Sequence, residues 1–97
     1  MTTTPLADTD FVLLTYDRAH DAMDAASLTD EAGLTDAVLV PRPRTLSARC
    51  GVALRAPASS ARAVVSLLLA SGKLGVVYCG SPKSGWRPCP TEEIMGS

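Results

Sequence analysis

The sequence predicts an α+β domain with a ferredoxin-like βαββαβ order: a two-layer sandwich of two helices on one face of a four-stranded antiparallel sheet, with a C-terminal tail. Three observations favour this class. The chain has 97 residues, which is enough for one hydrophobic core but not for two. Short β-rich apolar runs alternate with two segments of helical periodicity. No internal repeat of the length of a solenoid unit is present.

The first half of the chain holds two predicted strands and one helix. The run FVLLTY at residues 11–16 is apolar on both alternating faces, as expected for a central strand. Asp17 suits the N-cap of a helix that Gly33 ends. This helix carries small and apolar residues at helical spacing: Ala19, Ala22, Met23 and Ala26. The second strand, AVLV at residues 37–40, is closed by Pro41.

The second half repeats this order as strand, helix, strand. The third strand is CGVALRA at residues 50–56, and LGVVYC at residues 74–79 is the fourth. Between them the helix 59–71 carries one apolar stripe and ends at Gly72. The stripe consists of Ala61, Val64, Val65 and Leu68.

The domain organisation follows from these elements. Residues 10–80 form the folded domain, residues 1–9 a flexible polar N-terminus, and residues 81–97 a proline-containing tail outside the pattern. Because two helices cover only one face of the sheet, the two-sided first strand requires a cover on the other face. The candidates are a second copy of the chain, giving a homodimer, or the tail with Trp86.

Charge and cysteine content restrict the setting of the protein. Residues 1–36 hold eight acids and one base, whereas residues 37–91 hold eight Lys and Arg and no acid. Folding either interleaves these charges or leaves them on separate surfaces. The opening MTTTPLADTD lacks the basic and apolar regions of a signal peptide, so none is expected, and the run AVVSLLLA is too short to span a membrane. Three irregularly spaced cysteines favour a reducing cytoplasm over a disulfide framework.

The stretch PRPRTLSARCGVALR, residues 41–55, is the richest in chemistry. Four arginines and no acid surround Cys50. Neighbouring cations favour the reactive thiolate of a cysteine, and Arg44 and Arg49 are placed to supply them. Gly51 has no side chain to obstruct an approaching group. Side chains alternate between the two faces of a strand, and Cys50 falls on the core-facing side of the third strand. On that side it would equally be a buried packing residue. Both interpretations remain open at this point.

These residues carry a family resemblance. The stretches FVLLTYDRAHDAM and PRPRTLSARCGVALR, with the helix that follows, resemble the family "Putative Se/S carrier protein-like" over residues 11–78. Its mark is an arginine-containing loop that leads into Ser-x-x-Cys-Gly. The resemblance implies a carrier that holds sulfur or selenium on Cys50 and passes it between partner proteins. It also implies that the substrate-binding residues are Arg44, Ser47, Arg49 and Gly51. Arg49 departs from the small residue expected before the cysteine.

Cys89 is the second candidate thiol. Its Cys-Pro dipeptide at a predicted helix start is similar to an element of small sulfur-relay carriers, although Glu92 replaces the second proline. Cys89 is either a resolving thiol for a persulfide on Cys50 or a turn residue of the tail. Cys79, at the end of an apolar strand, is predicted to be structural. His20 is the only histidine and there is no Cys-x-x-Cys pair, so no bound metal is predicted. The sequence also lacks a phosphate-binding loop, so no cofactor is predicted.

Three functional classes compete. A carrier is favoured over a stand-alone enzyme, because one cysteine without a general base is not a complete catalytic set. The alternative is a non-catalytic interaction or ligand-sensing module that dimerises through its sheet. Nucleic-acid binding is disfavoured, since the third strand lacks the aromatic residues on which bases stack. A deeply buried Cys50 would favour the interaction module, and an exposed one the carrier.

Overall fold

Five strands and three helices make up residues 10–96, the part of the chain that the computed structural model describes. The predicted flexible N-terminus, residues 1–9, lies outside this range. In chain order the elements are β1 (Phe11–Thr15), α1 (Ala19–Glu31), β2 (Val38–Pro41), β3 (Val52–Pro57), α2 (Ala58–Ala70), β4 (Val76–Ser81), β5 (Gly85–Pro88) and α3 (Thr91–Met95). The predicted α+β class with an antiparallel sheet is confirmed.

The sheet has the strand order β2-β3-β1-β4-β5, so β1 is its central strand as predicted. In register, Leu14 of β1 lies between Leu54 of β3 and Val77 of β4. The prediction of four strands is wrong, because β5 pairs with β4 as a fifth strand. Because β5 and α3 follow the first six elements, the observed order differs from the exact ferredoxin-like pattern by two additional elements.

A tight hairpin makes the fifth strand possible. Gly80 has a φ of 147°, and a Cβ there would collide with the carbonyl of Gly85 on the opposite strand. The Ser81 hydroxyl oxygen accepts the backbone N–H of Ser84 at 2.9 Å, which closes the turn. Glycine at position 80 therefore lets two backbones approach where any side chain would separate them.

The helices pack on one face of the sheet and form the main core. The stripe predicted for α2 is confirmed, since all four of its residues are fully buried. On α1 the buried residues are Ala22, Ala25 and Thr29, while Met23 is 58% exposed. The face of α1 is therefore rotated from the predicted one. The predicted N-cap is also wrong: Arg18 occupies the cap, with no side-chain capping bond.

A second, smaller cluster covers the opposite face. Leu13 of β1 is fully buried there with Leu46 and Ala53, and Val40, Tyr78 and Trp86 pack against them. Of the two predicted coverings, the C-terminal segment contributes Trp86. Leu46, from the loop between β2 and β3, is a cover that the sequence did not indicate.

Part of the charge asymmetry is neutralised by the fold. The Lys73 ammonium lies 3.2 Å from Asp24 and 3.5 Å from Asp21, both on α1. The hydrogen bond from Asp24 raises the pKa of Lys73. Burial acts against ionisation of Asp21, but its hydrogen bond and charge interaction with Arg18, and its contact with Lys73, hold its pKa below the ordinary value. Such surface pairs contribute little each, but here they connect α1 to the segment before β4.

A disulfide between Cys79 and Cys89 joins β4 to the C-terminal segment. The two Cα atoms are 5.6 Å apart, and both side chains are buried. The cysteine spacing was expected to argue against a disulfide framework, but these two cysteines are bonded. The β4–β5 hairpin turns the chain back, and the Cys89 N–H donates to the Val77 carbonyl at 2.9 Å. Beyond this link, α3 buries Ile94 and packs against α2.

Reducing this disulfide is expected to destabilise the fold by about 2–3 kcal/mol, the loop-closure entropy of a ten-residue separation. Urea unfolding followed by the fluorescence of Trp86, the single tryptophan, with and without a reductant, measures this difference. The control is the double variant Cys79→Ala/Cys89→Ala, whose curve should not respond to the reductant. Equal stability of oxidised and reduced wild-type protein would contradict the prediction.

Candidate functional site

The candidate site is built on the arginine loop, residues 42–51, which connects β2 to β3. Its base is closed by the Arg42 N–H, which donates to the Gly51 carbonyl at 2.9 Å. The Arg42 side chain then turns inward: Nε donates to the Cys50 carbonyl at 3.0 Å, and Nη1 donates to the carbonyls of Pro43 and Leu46. Arg42 thus organises the loop through three backbone acceptors.

Cys50 lies at the end of this loop, two residues before β3 begins. Its N–H donates to the Tyr16 carbonyl at 3.2 Å, and its Sγ accepts the N–H of Val52 at 3.4 Å. An N–H directed at sulfur stabilises negative charge there. The residue is only 6% exposed and packs in the main core. Of the two interpretations left open by the sequence, the structure shows the buried position for Cys50, and it is the one cysteine that remains free.

The other predicted site residues lie on the surface of the loop. Arg44, Ser47, Arg49 and Gly51 are all exposed. A shallow depression of about 550 Å³ brings the first three together, lined by Asp17, Arg42, Arg44, Leu46, Ser47, Ala48 and Arg49. A smaller one of about 320 Å³ lies on the other side of Ser47 and Ala48 and borders β1 and the start of β4. Cys50 lines neither depression.

Gly51 leaves open space next to Cys50. Apart from Gly51 and its two chain neighbours, no heavy atom of residues 10–96 lies within 4 Å of the position that a Cβ would occupy. The fold therefore does not require glycine at this position for steric reasons. The open space is consistent with the predicted role of Gly51 in admitting an incoming group.

Asp17 is a member of the site that the sequence placed elsewhere. Predicted as a helix cap, it is exposed and lines the same depression as Arg44 and Arg49. A carboxylate therefore faces the cationic loop although none occurs near it in sequence. Any anion entering this depression meets both signs of charge.

Tyr16 is a second residue that the sequence did not assign to the site. Its carbonyl holds the Cys50 N–H, and its hydroxyl donates to the Lys73 carbonyl at 2.8 Å. Gly75 packs so closely on Tyr16 that a Cβ would collide with its ring and with the Thr15 carbonyl. Burial raises the pKa of Tyr16 to about 12, a backbone hydrogen bond from Gly75 opposes this, and the charge of Asp21 adds to it.

Cys89, the predicted resolving thiol, is not brought together with Cys50. It is bonded to Cys79, which lies opposite Val12 in the β1–β4 pairing. Cys50 instead contacts Tyr16, four residues further along the chain and on the β3 side. At about 3.3 Å per residue, the four-residue step from Val12 to Tyr16 alone separates the two cysteines by roughly 13 Å along the direction of β1. The resolving role stays a prediction that requires the disulfide to open first.

Cys79, Cys89 and Glu93 also form a group of possible metal ligands in residues 10–96. One ligand atom from each lies within 4.8 Å of the others. The disulfide occupies both sulfurs, so a metal could be held there only by the reduced form. His20 lies beside Asp24 at 3.2 Å. The expectation that no metal is bound stays a prediction.

The comparison with known families addresses the arginine loop directly. The family model "Putative Se/S carrier protein-like" matches residues 11–75, about two thirds of the chain. The chain belongs to this family. The matched segment runs from the first residue of β1 to the residue before β4, and it contains Cys50 and the whole arginine loop. The Cys79–Cys89 disulfide lies beyond its end. No curated protein and no solved structure gives a significant match.

No helix in residues 10–96 has the length and hydrophobicity needed to cross a membrane.

The Arg42→Gln variant is expected to accelerate alkylation of Cys50 by iodoacetamide about tenfold, because local opening no longer breaks three charge-assisted hydrogen bonds. Mass spectrometry of the native protein gives the rate. Arg49→Gln is the matched control, since it removes the same charge from the exposed side of the loop. An equal acceleration in both variants would mean that charge, and not hydrogen bonding, limits access.

Ionisation of Tyr16 is expected near pH 12 in the folded protein. Because the folded pKa exceeds the ordinary value near 10, the stabilisation is complete below pH 10 and is lost as pH rises toward 12. The tyrosinate absorbance of wild type minus that of Tyr16→Phe isolates this group. A midpoint near 10 in the native protein, equal to that in concentrated urea, would contradict the assignment.

Proposed function

We propose that the protein carries sulfur or selenium on the thiol of Cys50 and delivers it to a partner protein. The observation that supports this most is that the family-matched segment contains a single cysteine, free and held at the end of a cationic loop. The family description itself names a Se/S carrier. Carriers act through protein partners, and the exposed loop surface is where such a partner would dock.

The transfer needs no external oxidant. The Cys50 thiolate attacks the outer sulfur of a donor persulfide, R–S–S–H, forming the Cys50 S–S bond while the donor S–S bond breaks. The donor leaves as the thiol R–S–H, and Cys50 holds the persulfide as Cys–S–S⁻. Selenium follows the same path when the outer atom of the donor is selenium. Delivery repeats the step, with the partner's thiolate attacking the outer atom.

The loop supplies charge for this exchange. Arg44 and Arg49 are exposed guanidiniums on a depression of the arginine loop that Cys50 itself does not line, and Ser47 adds a hydroxyl there. The persulfide product on Cys50 is anionic, so these cations favour its charged form, while Asp17 on the same depression acts against them. No general base is needed for a thiolate nucleophile, which fits a carrier better than a stand-alone enzyme.

Burial of Cys50 requires that the loop opens during transfer. The loop has no regular structure between Arg42 and Gly51, and Arg42 provides three of its hydrogen bonds. Local opening of such a segment costs far less than global unfolding. A closed loop would shield a bound persulfide from reductants between the two partners.

The same burial favours a second candidate function. At 6% exposure Cys50 also fits a packing residue, which is what a non-catalytic interaction or ligand-sensing module would contain. Such a module would dimerise through its sheet, where β2 is an edge strand with Val38 and Leu39 each 41% exposed. The two candidates differ in whether Cys50 accepts sulfur in the folded state.

Loading with glutathione persulfide distinguishes them. The wild type is expected to gain one sulfur atom on the Cys50 peptide, and Cys50→Ser none, as measured by mass spectrometry after alkylation. Cys79→Ala/Cys89→Ala is the matched control and should load like the wild type. Because Cys50 is in the core, the fold of Cys50→Ser is verified by urea unfolding.

The outcome that contradicts the carrier is equally defined. If neither the wild type nor Arg42→Gln loads while both are folded, access to Cys50 is not the obstacle and the carrier proposal is wrong. A dimer in sedimentation velocity, together with that failure, would support the interaction module.

A further inference from the structure

A groove on the second face of the sheet is separate from the Cys50 thiol. It has a volume of about 530 Å³ and is lined mainly by apolar atoms. Leu13 forms its floor, and Val40, Pro82 and Trp86 form its walls. Leu13 and Trp86 belong to the small cluster opposite the helices, whereas Cys50 belongs to the main core.

Two arginines give the groove a positive charge. Arg44 and Arg55 line it, and none of its lining residues is Asp or Glu. Within residues 10–96, neither guanidinium forms an ion pair with a carboxylate. The Arg55 guanidinium carbon lies 4.7 Å from the centre of the Phe11 ring. This contact holds the side chain in place while its N–H groups have no carboxylate to bind.

We propose that this groove binds a small organic carboxylate with a flat apolar body. The volume fits one molecule of this size, since small-molecule sites span roughly 300–1,000 Å³. The apolar body would lie on Leu13 against the indole of Trp86, and the carboxylate would accept hydrogen bonds from Arg44 and Arg55. A neutral ligand of the same shape would leave both cations without a partner and would bind more weakly.

The test uses a matched pair of ligands, 4-tert-butylbenzoate and 4-tert-butylbenzamide, which share the apolar body but differ in charge. Trp86 is the only tryptophan, so its fluorescence reports occupancy of the groove directly. The benzoate is expected to give a saturable change and to bind at least about tenfold more tightly than the benzamide. Chemical-shift changes at Leu13 and at the Trp86 indole locate the ligand.

Variants of Arg55 test the charge. Arg55→Gln is expected to weaken benzoate binding about tenfold, to the level of the benzamide, and to leave benzamide binding unchanged. Arg55→Lys, which keeps the charge but loses the planar fork, should lie between them and guards against a folding defect. Arg62→Gln is the control, since it removes the same charge from the exposed side of α2.

Three results would overturn the proposal. They are equal binding of the benzoate and the benzamide, an equal loss in Arg62→Gln and Arg55→Gln, or no saturation together with a dimer that covers the groove. The groove shares Arg44 with a depression of the arginine loop, but Arg55 lines neither that depression nor its smaller neighbour, so Arg55 variants test the groove separately from the carrier function. Arg55→Gln should therefore load sulfur like the wild type, and either proposal can fail alone.

Discussion

Burial of β1 on both faces is the constraint on which the rest of the structure depends. Val12 and Leu14 lie in the main core beneath the helices, and Leu13 lies on the opposite face, all three fully buried. Each such side chain contributes on the order of 1.5–3 kcal/mol only if something excludes water from it. The two helices cover one face, and residues of the arginine loop and of β5 cover the other.

This constraint explains why the arginines divide into two roles. Leu46 can reach Leu13 only if the loop is folded back, and a folded-back loop has carbonyls that need donors. Arg42 meets that need with its guanidinium. The charge that the sequence placed next to Cys50 is thus partly used to fix the backbone. Arg44 and Arg49 form no such bonds within residues 10–96, and both are exposed.

Local patterns were enough to predict β1 and α2, because the continuous apolar run of β1 and the apolar stripe of α2 are complete within a few residues. The disulfide was not predictable, since it depends on a hairpin that folds a supposed tail onto β4. For the candidate site, the sequence pointed only to Cys50, its loop and Cys89. Asp17 and Tyr16 join it through the packing of β1 against β3, which no spacing in the sequence reveals.

The arginine loop contacts both the Cys50 segment and the small cluster on the opposite face of the sheet. Through Arg42 it secures the segment that ends at Cys50, and through Leu46 it covers Leu13 on the far side of the sheet. Movement that uncovers the thiol would therefore also lay bare an apolar patch. Opening would expose the thiol and an apolar surface at the same time. The open form should therefore be short-lived in water and longer-lived when it is bound to another protein. If Cys50 carries sulfur or selenium as proposed, contact with the recipient protein would itself stabilise the state that releases it.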